Sequence, residues 1–283
     1  MIRVDDTSRE ATRDLLEKGG RYCLKTYGHA NTRPILFARH DIAVLLTGRA
    51  GSTFAVKWYL HHNSMQSEYS WTHNHRTEVL YPSEWHQQRG ADVVSGQPFN
   101  LVRFTRNPFN RAVSSYLHSN QNQPVFKPIM KHYGRSHEDG EGYSFVEFLQ
   151  YIEAVGPTRV NNHFALQLSY MEVIHELDAF CRIEDGLDGL NALEAELGLP
   201  ESSNKVYNAL RRSPHNLNYD DDVEGGVPDR VFPLAKRKLP YPSPDRFYNE
   251  QTVSMVQNIY ARDFERFGYD NALPDLRPKA SRN

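Results

Sequence analysis

The chain of 283 residues has little of what disulfide frameworks, metal clusters or membrane insertion require. Its two cysteines, Cys23 and Cys181, are too few for a disulfide framework and lack the spacing of metal ligands. All apolar runs are far shorter than the roughly 20 residues that cross a bilayer. No apolar segment follows Met1–Asp6, as it would in a signal peptide. We therefore expect a cytoplasmic, metal-free protein without integral membrane association.

Excess charge of either sign is also missing. The net charge of −2 excludes a general electrostatic attraction to nucleic acid or to anionic membranes. We expect no nucleic-acid partner, and any anionic ligand must be bound by a local cluster of cations and N–H groups.

The most informative stretch is Asp41–Leu60, DIAVLLTGRAGSTFAVKWYL. Ile42–Leu46 is a short continuous apolar run, which is typical of a central strand buried on both faces. A loop of small residues follows at 47–53, and apolar residues then recur at roughly helical spacing. Backbone N–H groups and the helix dipole point the same way at such a turn, so the pattern predicts an anion site. We interpret the loop as the site for the phosphate end of a nucleotide.

This loop does not follow the Walker pattern of nucleotide kinases. Gly48 lies only three positions before Gly51, and Ser52 occupies the position of the Walker lysine. A kinase, whose fold would look alike, is disfavoured for that reason. It is also disfavoured because Leu101–Thr105 offers no carboxylate for magnesium near the end of its strand.

Arginines follow a second predicted strand, Phe99–Thr105, in the stretch LVRFTRNPFNRAVSSY. Arg106 lies at the carboxyl end of this strand, where open α/β sheets bind ligands. Ser114 follows on the next predicted helix, so a guanidinium and a hydroxyl can share one phosphate. Arginine suits this role because its planar fork meets phosphate oxygens with two parallel hydrogen bonds. The alternative is a surface cation beside an ordinary helix residue.

Short apolar strands alternate with helices, which predicts an α/β fold with a central, mostly parallel sheet flanked by helices. We assign residues 1–283 to a single domain. Within it we expect an N-terminal helical extension at 1–34, a long polar loop at 119–143 and a flexible tail at 274–283. Further predicted helices are Ser144–Ile152, Asn161–Met171, Glu184–Leu197 and Asn249–Phe267.

Together the two stretches resemble the sulfotransferases that use 3′-phosphoadenosine 5′-phosphosulfate (PAPS). Segment 49–53, RAGST, looks like their 5′-phosphosulfate loop, usually Lys-x-Gly-x-Thr, and segment 106–116 looks like their 3′-phosphate motif. The resemblance covers roughly residues 35–270. Further similarity, to the Golgi-type carbohydrate branch, comes from His40, segment 162–164, Gln167, Glu184 and segment 260–269.

The resemblance implies a P-loop-kinase-like sulfotransferase fold and transfer of a sulfuryl group from PAPS to an acceptor hydroxyl by in-line displacement. PAP is then the product, no metal takes part, and the branch favours a carbohydrate acceptor. As in phosphoryl transfer, fixed cations and loop N–H groups stabilise the growing charge on the leaving group. The residues to which the resemblance assigns cofactor binding are Arg49, Ala50, Gly51, Ser52, Thr53, Arg106 and Ser114.

Arg49 departs from the family pattern, which has lysine at this position. The family lysine is thought to contact the bridging oxygen and to assist the leaving group. Arginine supplies charge and hydrogen bonds, but with a pKa above about 12 it cannot hand over a proton. We therefore expect Arg49 to act catalytically by stabilising charge. A non-catalytic protein that binds PAP or PAPS is the alternative.

An attacking hydroxyl also needs a general base, and histidine is typical of that role near neutral pH. His73 and His75 lie between the two motifs, in a region that resembles the part of some carbohydrate sulfotransferases that supplies a His-x-His base. We predict His75 or His73 as the base, with surface or packing roles as the alternative. His163 and Glu84 are the next candidates.

Overall fold

The computed structural model describes residues 34–66, 68, 72–94, 97–136, 141–173, 176–212, 219–220, 226–232, 234 and 241–276, together with residues 14 and 18. The chain divides into two compact units, whereas its sequence predicts a single domain. The first unit contains residues 1–106 and 167–214, and the second contains residues 107–166 and 215–283. Most of the predicted extension at 1–34 and of the tail at 274–283 lies outside the described residues. Asp14 and Lys18 are helical and form an ion pair of 2.7 Å.

A four-stranded sheet in the order β1-β2-β3-β4 forms the centre of the first unit. Its strands are β1 (Ile35–Leu36), β2 (Ile42–Leu45), β3 (Asn100–Thr105) and β4 (Ala179–Arg182). Strand β1 runs antiparallel to β2, whereas β2, β3 and β4 are parallel. Val44 lies opposite Val102, and Phe104 lies opposite Cys181. The predicted α/β fold with a mostly parallel sheet is confirmed.

The α-helices belong to both units. In chain order the α-helices are α1 (Ser52–His62), α2 (Glu84–Val94), α3 (Pro108–Ser119), α4 (Gln123–His132), α5 (Phe145–Val155), α6 (Gly186–Glu196), α7 (Asn204–Arg211), α8 (Glu250–Ile259) and α9 (Ala261–Phe267). Shorter helical segments are Thr72–Asn74, the π-helical His75–Leu80, and the 3₁₀ turns Tyr170–Val173, Ile183–Asp185 and Pro244–Phe247. A two-stranded parallel pair, β5 (Tyr219–Asp220) and β6 (Tyr241–Pro242), belongs to the second unit. None of the helices in the described part of the chain has the length and apolarity to cross a membrane.

The core of the first unit forms around Trp58 of α1, which is fully buried. Its ring lies 5.3 Å from the rings of both Phe37 and Phe104. All four residues of β2 are buried, as expected for the continuous apolar run Ile42–Leu45. The pairing of β2 with β3 therefore fixes where the loops that follow these two strands begin.

A buried carboxylate, Glu194 of α6, ties α1 to the segment after α6. Trp58 Nε1 and His62 Nε2 both lie 2.9 Å from Glu194 Oε1, and Ser202 donates from its main-chain N–H at 2.6 Å. Burial alone would raise the pKa of Glu194, but the hydrogen bonds from His62, Ser202 and Trp58 outweigh burial and lower it. The carboxylate is thus held in its charged form.

The second unit packs around Tyr116 of α3, whose ring contacts those of Phe145, Phe148 and Phe247 at 5.5–5.7 Å. Helix α3 begins at Pro108, after the N-cap residue Asn107, whose side chain accepts from Phe109 N. Helix α5 begins with the predicted capping box, in which Ser144 and Glu147 bond each other's main-chain N–H.

The polar loop predicted at 119–143 is wrong for residues 123–132, which form α4. Val125, Phe126, Ile129 and Met130 recur at helical spacing, and all four are buried. A proline in the first turn favours this start, because no N–H is needed there.

Of two helix predictions in the second half of the chain, one was wrong and the other is confirmed apart from a break. Residues 162–164 form a turn instead of a helix, because α3 side chains take up carbonyls of this segment. Arg111 binds Ala165 O, and Ser115 Oγ binds His163 O. The predicted helix Asn249–Phe267 is broken at Tyr260, which separates α8 from α9.

Candidate functional site

The predicted anion loop lies between β2 and α1 in the first unit. Arg49 and Gly51 have left-handed backbone conformations, with φ angles of 64° and 82°, and Ala50 between them is buried. Gly51 is the N-cap residue of α1 and has no side chain to bond the N–H groups of the first helical turn. Ser52 and Thr53 begin the helix and are half-buried. Since the first turn carries no acidic residue, the positive end of the helix dipole is not neutralised locally.

Glycine is required at position 51 for two separate reasons. A φ of 82° is disfavoured for any side chain with a Cβ atom. A Cβ placed there would also lie 3.0 Å from Cγ2 of Ile183, in the turn that follows β4. The close approach of Ile183 therefore fixes the path of the loop.

Arg106 contacts this loop directly. It follows the last residue of β3 and is half-buried. Its Nη1 donates to the main-chain oxygen of Arg49 at 3.4 Å. Arg49 and Arg106, which are 57 residues apart and belong to the two predicted cofactor motifs, thus meet in the first unit.

The backbone of Arg106 is held by the side chain of Gln167. Arg106 N donates to Gln167 Oε1, and Gln167 Nε2 donates to Arg106 O, each at 2.8 Å. Gln167 is fully buried. A single amide therefore satisfies both main-chain groups of the residue at the end of β3.

Arg103 was missed as a site-supporting residue because its stretch was interpreted simply as a strand. It lies inside β3 and is almost fully buried. Its guanidinium donates to the Gln167 main-chain oxygen, to Thr47 Oγ1 at 2.5 Å, and to Glu172 Oε2 at 3.4 Å. Thr47 is the first residue of the anion loop, so Arg103 joins the start of that loop to the segment around Gln167. A charged residue within the apolar run LVRFT was the available signal.

Ser114 lies in the second unit, on α3, and is buried. Its predicted role in binding a phosphate together with Arg106 stays a prediction. In the same helix, the buried Arg111 donates to Ala165 O at 2.6 Å and to Asn162 O at 3.4 Å. It also lies 3.9 Å from Asp263 of α9. Segments 162–164 and 260–269, which both resemble the carbohydrate branch, therefore contact one structural arginine.

The two predicted bases differ in their surroundings. His75 is buried, and its Nδ1 lies 3.6 Å from a carboxylate oxygen of Glu68. His73 is exposed, and its Nδ1 lies 3.3 Å from Nη2 of Arg76. These contacts do not involve the anion loop, so the structure does not assign the base.

The structure also describes His163 and Glu84, the two further candidates for the general base. His163 Nδ1 lies 2.8 Å from Asn161 Oδ1, which orients the ring. The ring lies against that of His118, with centroids 4.5 Å apart and planes tilted by 32°. Glu84 is exposed in the first turn of α2. No group of three or more His, Cys, Asp or Glu side chains within the described ranges could hold a metal ion.

Lys57, one helical turn after Thr53, does not substitute for the missing loop lysine. Its amine donates to Arg212 O at 2.5 Å and to Ala209 O at 3.3 Å, near the end of α7. Burial, and then the nearby charge of Arg212, lower the pKa of Lys57. The lysine thus ties two helices together.

Comparison with known proteins gives one family match. A family model described as the sulfotransferase family matches residues 21–270, which include the anion loop, Arg106, Ser114 and α9. No curated protein and no solved structure matches the chain. The match extends over well more than half of the sequence.

Proposed function

Because the chain belongs to the sulfotransferase family, we propose that it transfers the sulfuryl group of PAPS to a hydroxyl group of an acceptor, of which a carbohydrate is the class favoured by the sequence resemblance. The observation that carries the proposal is the contact between Arg106 and the main-chain oxygen of Arg49. It unites the two segments that resemble the 5′-phosphosulfate and 3′-phosphate motifs of the family.

The residues present fit such a donor. PAPS supplies an activated sulfuryl group, whose bond to the 5′-phosphate oxygen breaks as the acceptor oxygen bonds to sulfur. The N-cap residue Gly51 has no side chain to bond the first-turn N–H groups of α1, so these groups suit an anion bound at the start of the helix. Arg106, whose guanidinium reaches the main-chain oxygen of Arg49, supplies positive charge at the loop, and we assign a second positive charge to Arg49. Such preorganised donors stabilise charge that develops on the leaving phosphate.

Arg49 stabilises this charge without transferring a proton, since a guanidinium stays protonated. The bisphosphate leaving group does not need a proton from the protein if two arginines and the helix terminus neutralise it. The proton that must be moved is that of the acceptor hydroxyl, and it passes to a general base.

His75 is the base that we favour. The carboxylate of Glu68 beside its Nδ1 would orient the ring and stabilise the imidazolium formed when the base accepts a proton. His163, whose Nδ1 is bonded to Asn161, has a similarly fixed ring and is the second choice. His73 is exposed and contacts a cation, which makes it the weakest of the three.

The donor site is tested by PAP binding to Arg106→Ala. Loss of a charge-assisted contact in a desolvated site should weaken PAP binding by about 2–4 kcal/mol in calorimetry. Arg89→Ala is the matched control, because Arg89 is a half-buried arginine of the same unit that pairs with Asp41. Unchanged affinity of Arg106→Ala would contradict this placement of the cofactor.

Activity is tested by incubating the purified protein with PAPS and a panel of glycans and phenols, without added metal. Release of PAP that depends on an acceptor supports the transferase. A non-catalytic binding protein is the second candidate, favoured by Arg49 in place of lysine. Tight PAP binding without turnover on any acceptor would support that alternative.

The base is tested by His75→Ala, His163→Ala and His73→Ala, each assayed for turnover and for PAP affinity. We expect His75→Ala to abolish turnover while it spares PAP binding. His132→Ala, at the end of α4, is the control and should change neither, because His132 is not a predicted site residue. If all three variants keep the normal rate, the base is not one of these histidines and Glu84 is examined next.

A further inference from the structure

Gln167 is bonded to both predicted cofactor segments at once. Its side-chain amide holds the two main-chain groups of Arg106 at 2.8 Å each. Its main-chain oxygen accepts from Arg103 and, at 3.4 Å, from the hydroxyl of Thr47, where the anion loop begins. One buried residue therefore joins the ends of β2 and β3.

We propose that Gln167 is a positioning residue for the donor site: it fixes the backbone of Arg106 so that the guanidinium reaches the anion loop and the phosphate bound there. The proposal rests on the proposed function, because the anion that Arg106 meets is taken to be PAPS or PAP.

The chemistry of the contact argues for positioning rather than simple packing. A main-chain N–H and C=O of the same residue need a partner that both accepts and donates, and a primary amide offers both on two adjacent atoms, Oε1 and Nε2. Glutamate lacks the donor, and methionine, which has nearly the same shape, lacks both. Since Arg106 is the first residue beyond β3, no sheet pairing restrains it. The amide supplies the restraint that the sheet would otherwise give.

Gln167 is itself anchored from the other side. Arg103, which binds its main-chain oxygen, is held by Thr47 at 2.5 Å and by Glu172 at 3.4 Å. Ser169 N donates to the same Glu172 oxygen at 2.6 Å, so the segment that follows Gln167 is also fixed. A substitution at the Gln167 side chain therefore removes the hold on Arg106 but keeps the main-chain tie to Thr47.

The test compares Gln167→Met with wild type by PAP calorimetry and by hydrogen exchange of the free protein. We expect PAP to bind about 10- to 100-fold more weakly, the scale seen when a residue that orients a ligand group is lost. In the Arg106→Ala background the same change should weaken binding by less than about twofold, because coupled sites are not additive. Gln167→Asn, which keeps the amide on a shorter stem, should recover part of the affinity.

Glu194→Gln is the matched control, since Glu194 is equally buried in the same unit and bonds three other residues. It should lower stability without changing PAP affinity. If Gln167→Met binds PAP normally, or if its effect multiplies with that of Arg106→Ala, Gln167 does not act through Arg106.

Hydrogen exchange separates failure of the proposal from failure of the proposed function. In the ligand-free protein, Gln167→Met and Arg106→Ala should both speed exchange of loop amides at 48–53. If wild type binds no PAP, the proposed function fails, yet this shared exchange pattern still supports the positioning role. If the loop amides of Gln167→Met exchange at the wild-type rate, the positioning role is refuted, whether or not the protein binds PAP.

Discussion

Replacing Gly51 by alanine probes how tightly the anion loop is defined. The φ of 82° would cost an alanine about 1–2 kcal/mol, because a left-handed conformation crowds its Cβ. The Cβ would also lie 3.0 Å from Cγ2 of Ile183, and relieving such overpacking costs typically about 1–3 kcal/mol. Alanine lowers the entropy of the unfolded chain, which offsets about 0.4–1 kcal/mol of this loss. We therefore expect the free energy of unfolding to fall by about 2–4 kcal/mol.

Gly198 separates the two contributions. It belongs to the same unit and has a φ of 66°, but a Cβ there would meet nothing within 4 Å. Gly198→Ala should cost only the backbone part, about 1 kcal/mol after the entropic offset. Combining Gly51→Ala with Ile183→Ala should bring the cost of the glycine replacement close to that value, because the obstructing methyl is gone.

Urea unfolding followed by tryptophan fluorescence measures these free energies. The signal reports on the first unit because Trp58 is buried in its core. Gly51→Ala should also weaken PAP binding, since the loop N–H groups are displaced. If Gly51→Ala and Gly198→Ala agree within about 0.5 kcal/mol, the limit of additivity, the reasoning about Ile183 is refuted.

Three further predictions concern the buried charges and a helix cap. The lowered pKa of Glu194 means that its carboxylate stabilises the fold above its ordinary pKa of 4.5, and that this stability is lost as the pH falls through the lower, folded-state pKa. Urea titrations should thus show a flatter acid decline below about pH 4.5 for Glu194→Gln than for wild type. Asp263→Ala leaves the buried Arg111 without its carboxylate and should cost about 3–5 kcal/mol in thermal unfolding, whereas Glu265→Ala on the exposed face of α9 should cost less than about 0.5. Ser144→Ala removes half of the capping box of α5 and should cost about 1 kcal/mol, measured as faster hydrogen exchange in the first turn of that helix; unchanged exchange would mean that the box contributes nothing.

Local patterns in the sequence were sufficient for much of the fold. The apolar run at 42–46 predicted a strand that is buried on both faces, and all four residues of β2 are buried. Ser144 and Glu147 predicted the start of α5, because a capping box depends on residues only three positions apart. Arg106 was singled out because it follows a strand, and the structure places its guanidinium against the other motif.

Long-range hydrogen bonds account for what local patterns missed. Arg103 can be buried because its guanidinium binds the main-chain oxygen of Gln167. This partner lies 64 residues away in the sequence, and no periodicity near Arg103 indicates it. The segment near His163 has a helical composition, yet Ser115 and Arg111, about 50 residues earlier, take up its carbonyls. The choice among His73, His75 and His163 as the base depends on substrate, which neither spacing nor apolar pattern encodes.

Strand order has a consequence for synthesis of the chain on the ribosome. Strand β3 pairs with β2 on one side. Its other edge pairs with β4, which begins about 70 residues after the end of β3 and is therefore synthesised later. At about 5–20 residues per second, that edge stays open for roughly 4–15 s. During this time Val102 and Phe104, which pair with residues of β4 in the folded protein, lie on an open strand edge to which a strand of another chain can bind. We therefore expect the nascent chain to carry an unpaired strand edge, at which it could aggregate, while the first segment of the second unit is being made.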